Sequence, residues 1–239
     1  MSSRIDDGRA NENRFYIDGI EIPNINHFAT QGSNGGPRGL INVDLINAVE
    51  FYSGAFPAAR GNALSSVMEF QFKDPKRDKW ASNIIVGSSD IGITLEGPTG
   101  KNSGLTFSAR RSYLQFLFEA IDLPIRPNYW DFQFKSTTRI NDKTTLSVLG
   151  IGAIDEFSFG APKEATPEKL YVLNSNPLIQ QNSYTVGATL KRLISGGYWN
   201  LSLSRNRLNN QADKYEDNQR PDETDRTFQI RSLETENKL

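Results

Sequence analysis

Histidine, cysteine and paired acidic residues supply most catalytic and metal-binding chemistry, and this chain offers little of it. The chain contains one histidine, His27, and no cysteine. A single histidine makes a histidine-based zinc site or a histidine-dependent triad improbable. The absence of cysteine excludes disulfides and thiolate ligands. The sequence therefore predicts no metal site, no cofactor and no enzyme activity.

Three residues are candidates for contact with a small ligand. His27 lies in a polar loop, where ligand contact and simple solvation are both open interpretations. Arg110 and Arg111 follow an alternating stretch, and adjacent residues of a strand point to opposite faces. For the acidic pair Asp155 and Glu156 we expect no partner histidine, no nucleophile and no set of metal ligands. The candidate substrate-binding residues are therefore His27, Arg110 and Arg111, and none is assigned a catalytic role.

The overall composition excludes some partners and permits a membrane. The chain has 239 residues and a net charge of −1, with a sequence pI of about 6.0 and a mean hydropathy of −0.52. We expect no binding to nucleic acid, because the chain has no excess of positive charge to attract a polyanion. No apolar run approaches the ~18 residues of a membrane helix, but a membrane-spanning strand needs only about 9–11 residues of alternating character.

Apolar and polar residues alternate from about residue 80 onwards, which indicates strands with one apolar and one polar face. Residues 90–96 begin the pattern, and residues 199–204 repeat it. Only the stretch at residues 146–154 is apolar on both faces. We predict six strands between about residues 80 and 218, and a candidate seventh in residues 227–239. The basic residues expected on the polar face are Lys135, Arg139, Lys191, Arg205 and Arg207.

The predicted strands are joined by short and long connections in strict alternation. The short ones are residues 97–103, 141–143 and 195–197, and the long ones are about residues 120–129, 155–181 and 209–226. This pattern predicts an antiparallel up-and-down meander with one tight and one extended end, as in a transmembrane barrel. Aromatic residues near strand ends would then form interfacial girdles. They are Trp80, Tyr113, Tyr129, Trp130, Tyr184, Tyr198 and Trp199.

Two other interpretations stay open at this point. A soluble, exported β-sandwich that binds a ligand or a carbohydrate also shows alternating strands, and so does a β-rich hydrolase. Strand length and loop asymmetry favour the barrel, because sandwich strands are shorter and have turns every ~8–12 residues.

The first part of the chain has a different texture, and a charged stretch at residues 74–79 separates it from the rest. Residues 14–22 predict a hairpin that turns at Asp18 and Gly19. Residues 43–52 and 65–72 are rich in β-branched and aromatic side chains, which favours strands. Short strands between glycine-rich loops therefore make up this part.

Two motifs here resemble those of TonB-dependent outer-membrane receptors. Residues 12–23 (ENRFYIDGIEIP) are similar to the plug segment in which an apolar strand reaches an Asp-Gly turn. Residues 46–62 (INAVEFYSGAFPAARGN) and 64–73 (LSSVMEFQFK) resemble the motif that closes the plug. The loop that contains His27 is similar to that of receptors of the Bacteroidetes type.

The resemblance implies a mainly β fold, namely a partial transmembrane antiparallel up-and-down β-barrel preceded by part of a small α+β plug domain. Residues 1–74 correspond to the C-terminal part of the plug, and residues 75–239 to the first six or seven strands of a barrel of about 22 strands. It also implies a receptor in the cell outer membrane that imports a siderophore, a vitamin or an oligosaccharide. Its partners would be outer-membrane lipid, a TonB complex and the small nutrient.

The start of the chain departs from the family pattern. Residues 1–9 show no apolar signal-peptide segment, and neither a TonB box nor the first part of the plug is recognisable. We therefore expect a fragment or a truncated product. We also expect residues 14–72 to pack on the polar face of the long strands, because that face is the lumen wall of the parent barrel.

Overall fold

The computed structural model describes residues 12–29, 36–58, 60, 63–218 and 221–239. Short strands come first and long strands follow, as the two textures of the sequence predict. The short strands are β1 (Asn13–Ile17), β2 (Ile20–Ile22), β3 (Asn26–His27), β4 (Arg38–Gly39), β5 (Ile46–Tyr52) and β6 (Ser66–Phe72). The strands after them are β7 (Ala81–Val86), β8 (Asp90–Gly100), β9 (Ser103–Ser112), β10 (Ile125–Asn141), β11 (Thr144–Phe159), β12 (Leu178–Ile194), β13 (Gly197–Tyr215) and β14 (Arg226–Lys238).

Strands β7 to β14 form one eight-stranded sheet in which each strand pairs with its neighbours in sequence. All these pairs are antiparallel, which confirms the meander and the additional strand near the end of the chain. The count of six strands between residues 80 and 218 is wrong, because Ala81–Val86 also pairs. Its apolar residues are consecutive, so alternation did not reveal it. The β-sandwich interpretation is wrong as well, because the long strands stay in one sheet.

The connections confirm one tight end and one extended end, with two corrections. Residues 101–102, 142–143 and 195–196 turn at what we call the short-turn end. At the opposite, long-loop end, residues 87–89 make a tight turn, so the strict alternation fails there. Two long loops also contain helices that the sequence did not predict, α1 (Leu114–Ala120) and α2 (Pro167–Ser175).

Helix α2 has clear local causes. The Thr166 side chain accepts a hydrogen bond from the Lys169 backbone N–H, and Pro167 occupies the first turn, where no N–H partner is required. None of the helices in the described part of the chain is long and apolar enough to cross a membrane.

The small sheet has the strand order β2-β1-β6-β5 and is mixed, since β1 runs antiparallel to β2 and parallel to β6. The predicted hairpin is confirmed. Its turn residues Asp18 and Gly19 have φ angles of 48° and 84°, a left-handed conformation that glycine and aspartate adopt more readily than other residues. Strands β3 and β4 pair as a separate two-stranded ribbon.

The small sheet packs on the polar face of the eight-stranded sheet, as predicted. Leu149, Ile151 and Ala153 of β11 are buried in one cluster with apolar residues of the small sheet and its loops. This contact explains why residues 146–154 are apolar on both faces: one side contacts the small sheet and the other points away from it.

The division of the chain into units at residue 74 stays a prediction.

The hairpin closely approaches the eight-stranded sheet, which we call the wall, at Gly187 of β12. A Cβ there would lie 2.8 Å from Ile20 Cδ1, so any side chain at this position must displace the buried Ile20 side chain. We predict that Gly187→Val costs about 1–3 kcal/mol through overpacking, measured as the urea midpoint of unfolding in detergent. Ala188→Val, on the opposite face, is the matched control and should change stability by less than about 0.5 kcal/mol. Equal effects would contradict the docking.

Candidate functional site

His27 is enclosed between the ribbon and the wall of long strands. Its side chain is 0% exposed. The Nδ1 atom lies 2.6 Å from Asp155 Oδ1, and the Nε2 atom lies 3.3 Å from Asp131 Oδ2. The imidazole also stacks on the Tyr129 ring, with centroids 4.0 Å apart. Strand β3 presents the histidine, while strands β10 and β11 present the two carboxylates, so the contacts join distant parts of the chain.

Two expectations from the sequence are wrong here. His27 is not a solvated loop residue, and Asp155 does have a partner histidine, 128 positions earlier in the chain. Burial alone would lower the pKa of His27, but the hydrogen bonds and charges of Asp131 and Asp155 raise it above its ordinary value. The protonated imidazolium can donate to both carboxylates at once, because both of its nitrogens then carry a proton.

Arg110 completes the charge balance of this cluster. Its Nε donates to Asp131 at 2.9 Å, and its Nη2 donates to the backbone carbonyl of Leu40 at 2.7 Å. With His27 protonated, two cations face the two aspartates. Arg111 points to the other face of the sheet and lies over the Trp130 ring at 4.8 Å. The predicted division of the two arginines between faces is therefore confirmed.

A second ion pair anchors the other strand of the ribbon. Arg38 of β4 is the register partner of His27, and its guanidinium pairs with Asp90 at the start of β8. The Tyr129 hydroxyl donates to the same carboxylate at 2.8 Å. Both strands of the ribbon are thus tied to the wall through buried carboxylates, which need such partners when they are removed from water.

Asp131, Asp90 and Tyr129 were not among the candidate site residues predicted from the sequence. A signal was available for Asp131, because it alternates with Gln133 and Lys135 on a face that carries no apolar residue in that stretch. The same alternation places Tyr129 on the face of Asp131, and Trp130 on the face of Phe132.

A cavity of about 630 Å³ opens beside the cluster at the long-loop end. Phe28, which follows His27, reaches into it, and its backbone N–H donates to Asp155 Oδ2 at 2.9 Å. Phe28 has a φ of 55°, a conformation that is rare for a bulky residue and that local contacts must hold. The walls are mostly apolar. They include Leu114, Phe118, Ile125, Pro127, Phe157 and Ile179.

The outward face of the eight-stranded sheet is the face that points away from the small sheet. Its exposed apolar side chains form an oblique band. On β8 the band consists of Ile91, Ile93 and Leu95, next to the long-loop end. On β13 it is centred on Leu201, next to the short-turn end. The strand registers place Ile93 level with Arg207. The band therefore shifts by six residues between β8 and β13.

This shift can be converted into an angle. With ~3.3 Å per residue along a strand and ~4.8 Å between strands, six residues over five strand spacings correspond to about 40°. Strands of membrane barrels tilt by ~35–45°. A horizontal apolar layer would cross such tilted strands as this band does, so the outward face has the geometry of a lipid-facing surface.

Some of the aromatic residues predicted to form girdles lie on the outward face at the edges of the band, and others do not. Trp80 covers Gly97 at the short-turn side of the band, while Trp130 and Tyr184 lie on the outward face at its long-loop side. Tyr129 is wrong as a girdle residue because it is buried against His27. Tyr198 faces inward, where Lys191 lies 4.6 Å from its ring centroid.

No protein-family model matches the sequence, and neither does any curated protein. Solved structures do match. The ferric enterobactin receptor PfeA has a TM-score of 0.58 at 12% identity, over 95% of this chain and 38% of the receptor. The ferripyoverdine receptor of the outer membrane of Pseudomonas aeruginosa has a TM-score of 0.59 at 16% identity, over 90% and 31%. The outer membrane transporter YddB from Escherichia coli has a TM-score of 0.57 at 12% identity, over 87% and 33%.

The chain has the fold of a TonB-dependent outer-membrane receptor. The unclosed sheet fits part of such a barrel, as the resemblance implied. The chain spans less than two fifths of the length of each of these receptors and transporters. The resemblance to the Bacteroidetes type and the interpretation as a fragment stay predictions.

The raised pKa of His27 gives a pH-dependent stability with a definite sign. Because the pKa is raised on folding, this contribution is fully present below the unfolded value of ~6.5 and is lost as pH rises through the folded value. We predict that the urea concentration at the midpoint of unfolding in detergent decreases as the pH is raised above about 6.5. His27 is the chain's sole histidine, so the slope reports on it directly.

The variant that checks this assignment is His27→Gln. It should lose about 3–5 kcal/mol at the acidic end, because the buried aspartates lose a partner, and its midpoint should vary far less with pH. A parallel pH slope in the two proteins would show that the His27 cluster does not couple to folding.

Proposed function

We propose that the protein is an outer-membrane receptor of the TonB-dependent type that takes up a scarce small nutrient. In this proposal residues 1–74 belong to the plug and residues 75–239 to the barrel wall. The protein resides in the cell outer membrane, is surrounded by outer-membrane lipid and receives energy through a TonB complex. No residue is assigned a catalytic role.

One observation carries the proposal: the two faces of the same sheet have different partners. The inward face contacts the small sheet and ribbon through buried charges, with His27 and Arg110 facing Asp131. The outward face exposes an apolar band. This band is inclined by about 40° to the line of register partners that crosses the strands. A soluble ligand-binding module has no need for such a band, whereas a plugged membrane wall needs both faces.

The ligand would enter at the long-loop end, beside the ribbon. A cavity of about 630 Å³ there falls within the ~300–1,000 Å³ that small-molecule sites occupy. Phe28 contacts the cavity and follows His27 directly, so a ligand that moves Phe28 also pulls on the charged cluster. This is how we propose that His27 and Arg110 take part: they hold the ribbon to the wall and respond to the ligand through Phe28.

The walls of this cavity favour some nutrient classes over others. Phe28, Phe157 and neighbouring aliphatic residues present apolar surfaces, and Arg38, whose guanidinium pairs with Asp90, also lines the cavity. An oligosaccharide would leave many hydroxyl groups without hydrogen-bond partners against such walls. We therefore favour a ligand with an apolar or aromatic surface. A siderophore or a vitamin fits this description better than an oligosaccharide does.

The membrane placement is tested by substituting adjacent residues on β13. Leu201 points outward at the centre of the band, whereas Ser202 points inward and its hydroxyl lies 2.9 Å from that of Thr189. Leu201→Arg should cost ~2–4 kcal/mol of folding free energy in lipid vesicles, because it places a charge near the bilayer midplane. Ser202→Arg should be mild by comparison. Equal tolerance at both positions would contradict the proposal.

A further inference from the structure

A narrow apolar groove runs along the outward face over strand β11. Gly152 forms its floor because glycine leaves no side chain there, while the Phe134 ring lies over the neighbouring Gly150. Phe132 and Phe134 of β10 form one wall, and Tyr184 and Val186 of β12 form the other. The groove encloses about 320 Å³, and its lining is almost entirely apolar. It has room for a segment of a single alkyl chain.

The groove lies in one half of the apolar band. At β11 the centre line of the band passes between residues 148 and 149, as interpolated from Ile93 and Leu201. Gly150 and Gly152 are then about 4 Å and 9 Å from this centre, on the long-loop side. The apolar belt of a membrane barrel extends about 12 Å to each side of its centre. The groove therefore faces the acyl chains of the leaflet on the long-loop side.

Two arginines, Arg205 and Arg207, lie beside the groove. Arg205 and Arg207 were expected on the polar face, but they share the outward face with Leu201 and Leu203. Their register partners are Val186 and Tyr184, which form the groove wall. They lie about 10 Å and 15 Å from the band centre, so they straddle the level at which the hydrocarbon ends.

Nothing in the described part of the chain neutralises these two charges. The described side-chain partner of Arg205 is the Asn237 amide oxygen at 3.4 Å, and within the described ranges neither arginine pairs with a carboxylate. By contrast Arg231, also outward-facing but on β14, pairs with Asp213 at 2.8 Å. Arginine binds phosphate through two parallel hydrogen bonds, and phosphate is the anion found where acyl chains meet headgroups.

We infer that this surface binds a phosphorylated membrane lipid in the leaflet on the long-loop side. One acyl chain occupies the groove over Gly152, against the Phe134 ring, and the phosphate receives hydrogen bonds from Arg205 and Arg207. The inference rests on the proposed membrane placement and adds a specific lipid partner to it. It involves no residue of the His27 cluster or of the ligand cavity.

Trp130 provides a local probe for the test. Its ring stacks on Phe132 of the groove wall, with centroids 6.0 Å apart. The full chain carrying Trp80→Phe and Trp199→Phe retains this one tryptophan. It is titrated in non-ionic detergent with phosphatidate or diacylglycerol that carries the same brominated acyl chains, because bromine quenches tryptophan on contact. The readout is the lipid mole fraction at half-maximal quenching.

We expect half-maximal quenching at about tenfold lower phosphatidate than diacylglycerol, the gain from hydrogen bonds to a charged phosphate. The double variant Arg205→Gln and Arg207→Gln should bring the two lipids to nearly equal values. Arg231→Gln, the matched control, should keep the preference. Gly152→Leu should weaken quenching by both lipids by filling the groove. Inorganic phosphate should leave the quenching unchanged.

Other outcomes would overturn the inference. Equal quenching by the two lipids in the parent protein means that no phosphate is recognised. A preference that survives loss of both arginines means that the phosphate binds elsewhere. If these results occur while Leu201→Arg and Ser202→Arg still differ in vesicles, the lipid site fails and the membrane placement stands. Absence of quenching by either lipid contradicts both.

Discussion

The buried contact of His27 with Asp131 and Asp155 is the interaction on which the rest of this structure depends. These carboxylates face inward from β10 and β11, where water is excluded, and an isolated buried charge is too costly to persist. His27 and Arg110 provide the opposite charges. The inward face is therefore complete only when the ribbon is seated on it, and the position of the small sheet follows from that seating.

The seating also connects the two ends of the molecule. At the long-loop end, Phe28 follows His27 and lines the proposed ligand cavity. Towards the short-turn end, Lys135 of β10 donates to the Phe72 carbonyl at 2.9 Å and pairs with Asp18 at 3.1 Å. Between them, Leu149 and Ile151 pack against the small sheet. A single wall strand, β10, thus contacts both the ribbon and the far end of the small sheet through inward polar residues.

Sequence patterns predicted most of the fold, and the errors arose where alternation was overridden or where a contact joined distant parts of the chain. The Asp18–Gly19 hairpin and the long meander followed from local chemistry and period-two patterning. Arg205 and Arg207 were assigned to the wrong face because charge was weighed above their parity with Leu203. The pairing of His27 with Asp155 crosses 128 positions, and no local pattern can specify such a contact.

The central claim is that the long strands form a tilted wall with one lipid-facing side. The measurement that tests it most directly is a spin-label scan of β8 and β13. The chain has no cysteine, so single cysteines at residues 90–96 and 198–207 can be labelled cleanly after reconstitution in lipid. Accessibility to oxygen should alternate along both strands and reach its maximum at Ile93 on β8 and at Leu201 on β13. A β13 maximum at Arg207, level with Ile93 in the strand register, or no alternation on either strand, would contradict a tilted wall with one lipid face.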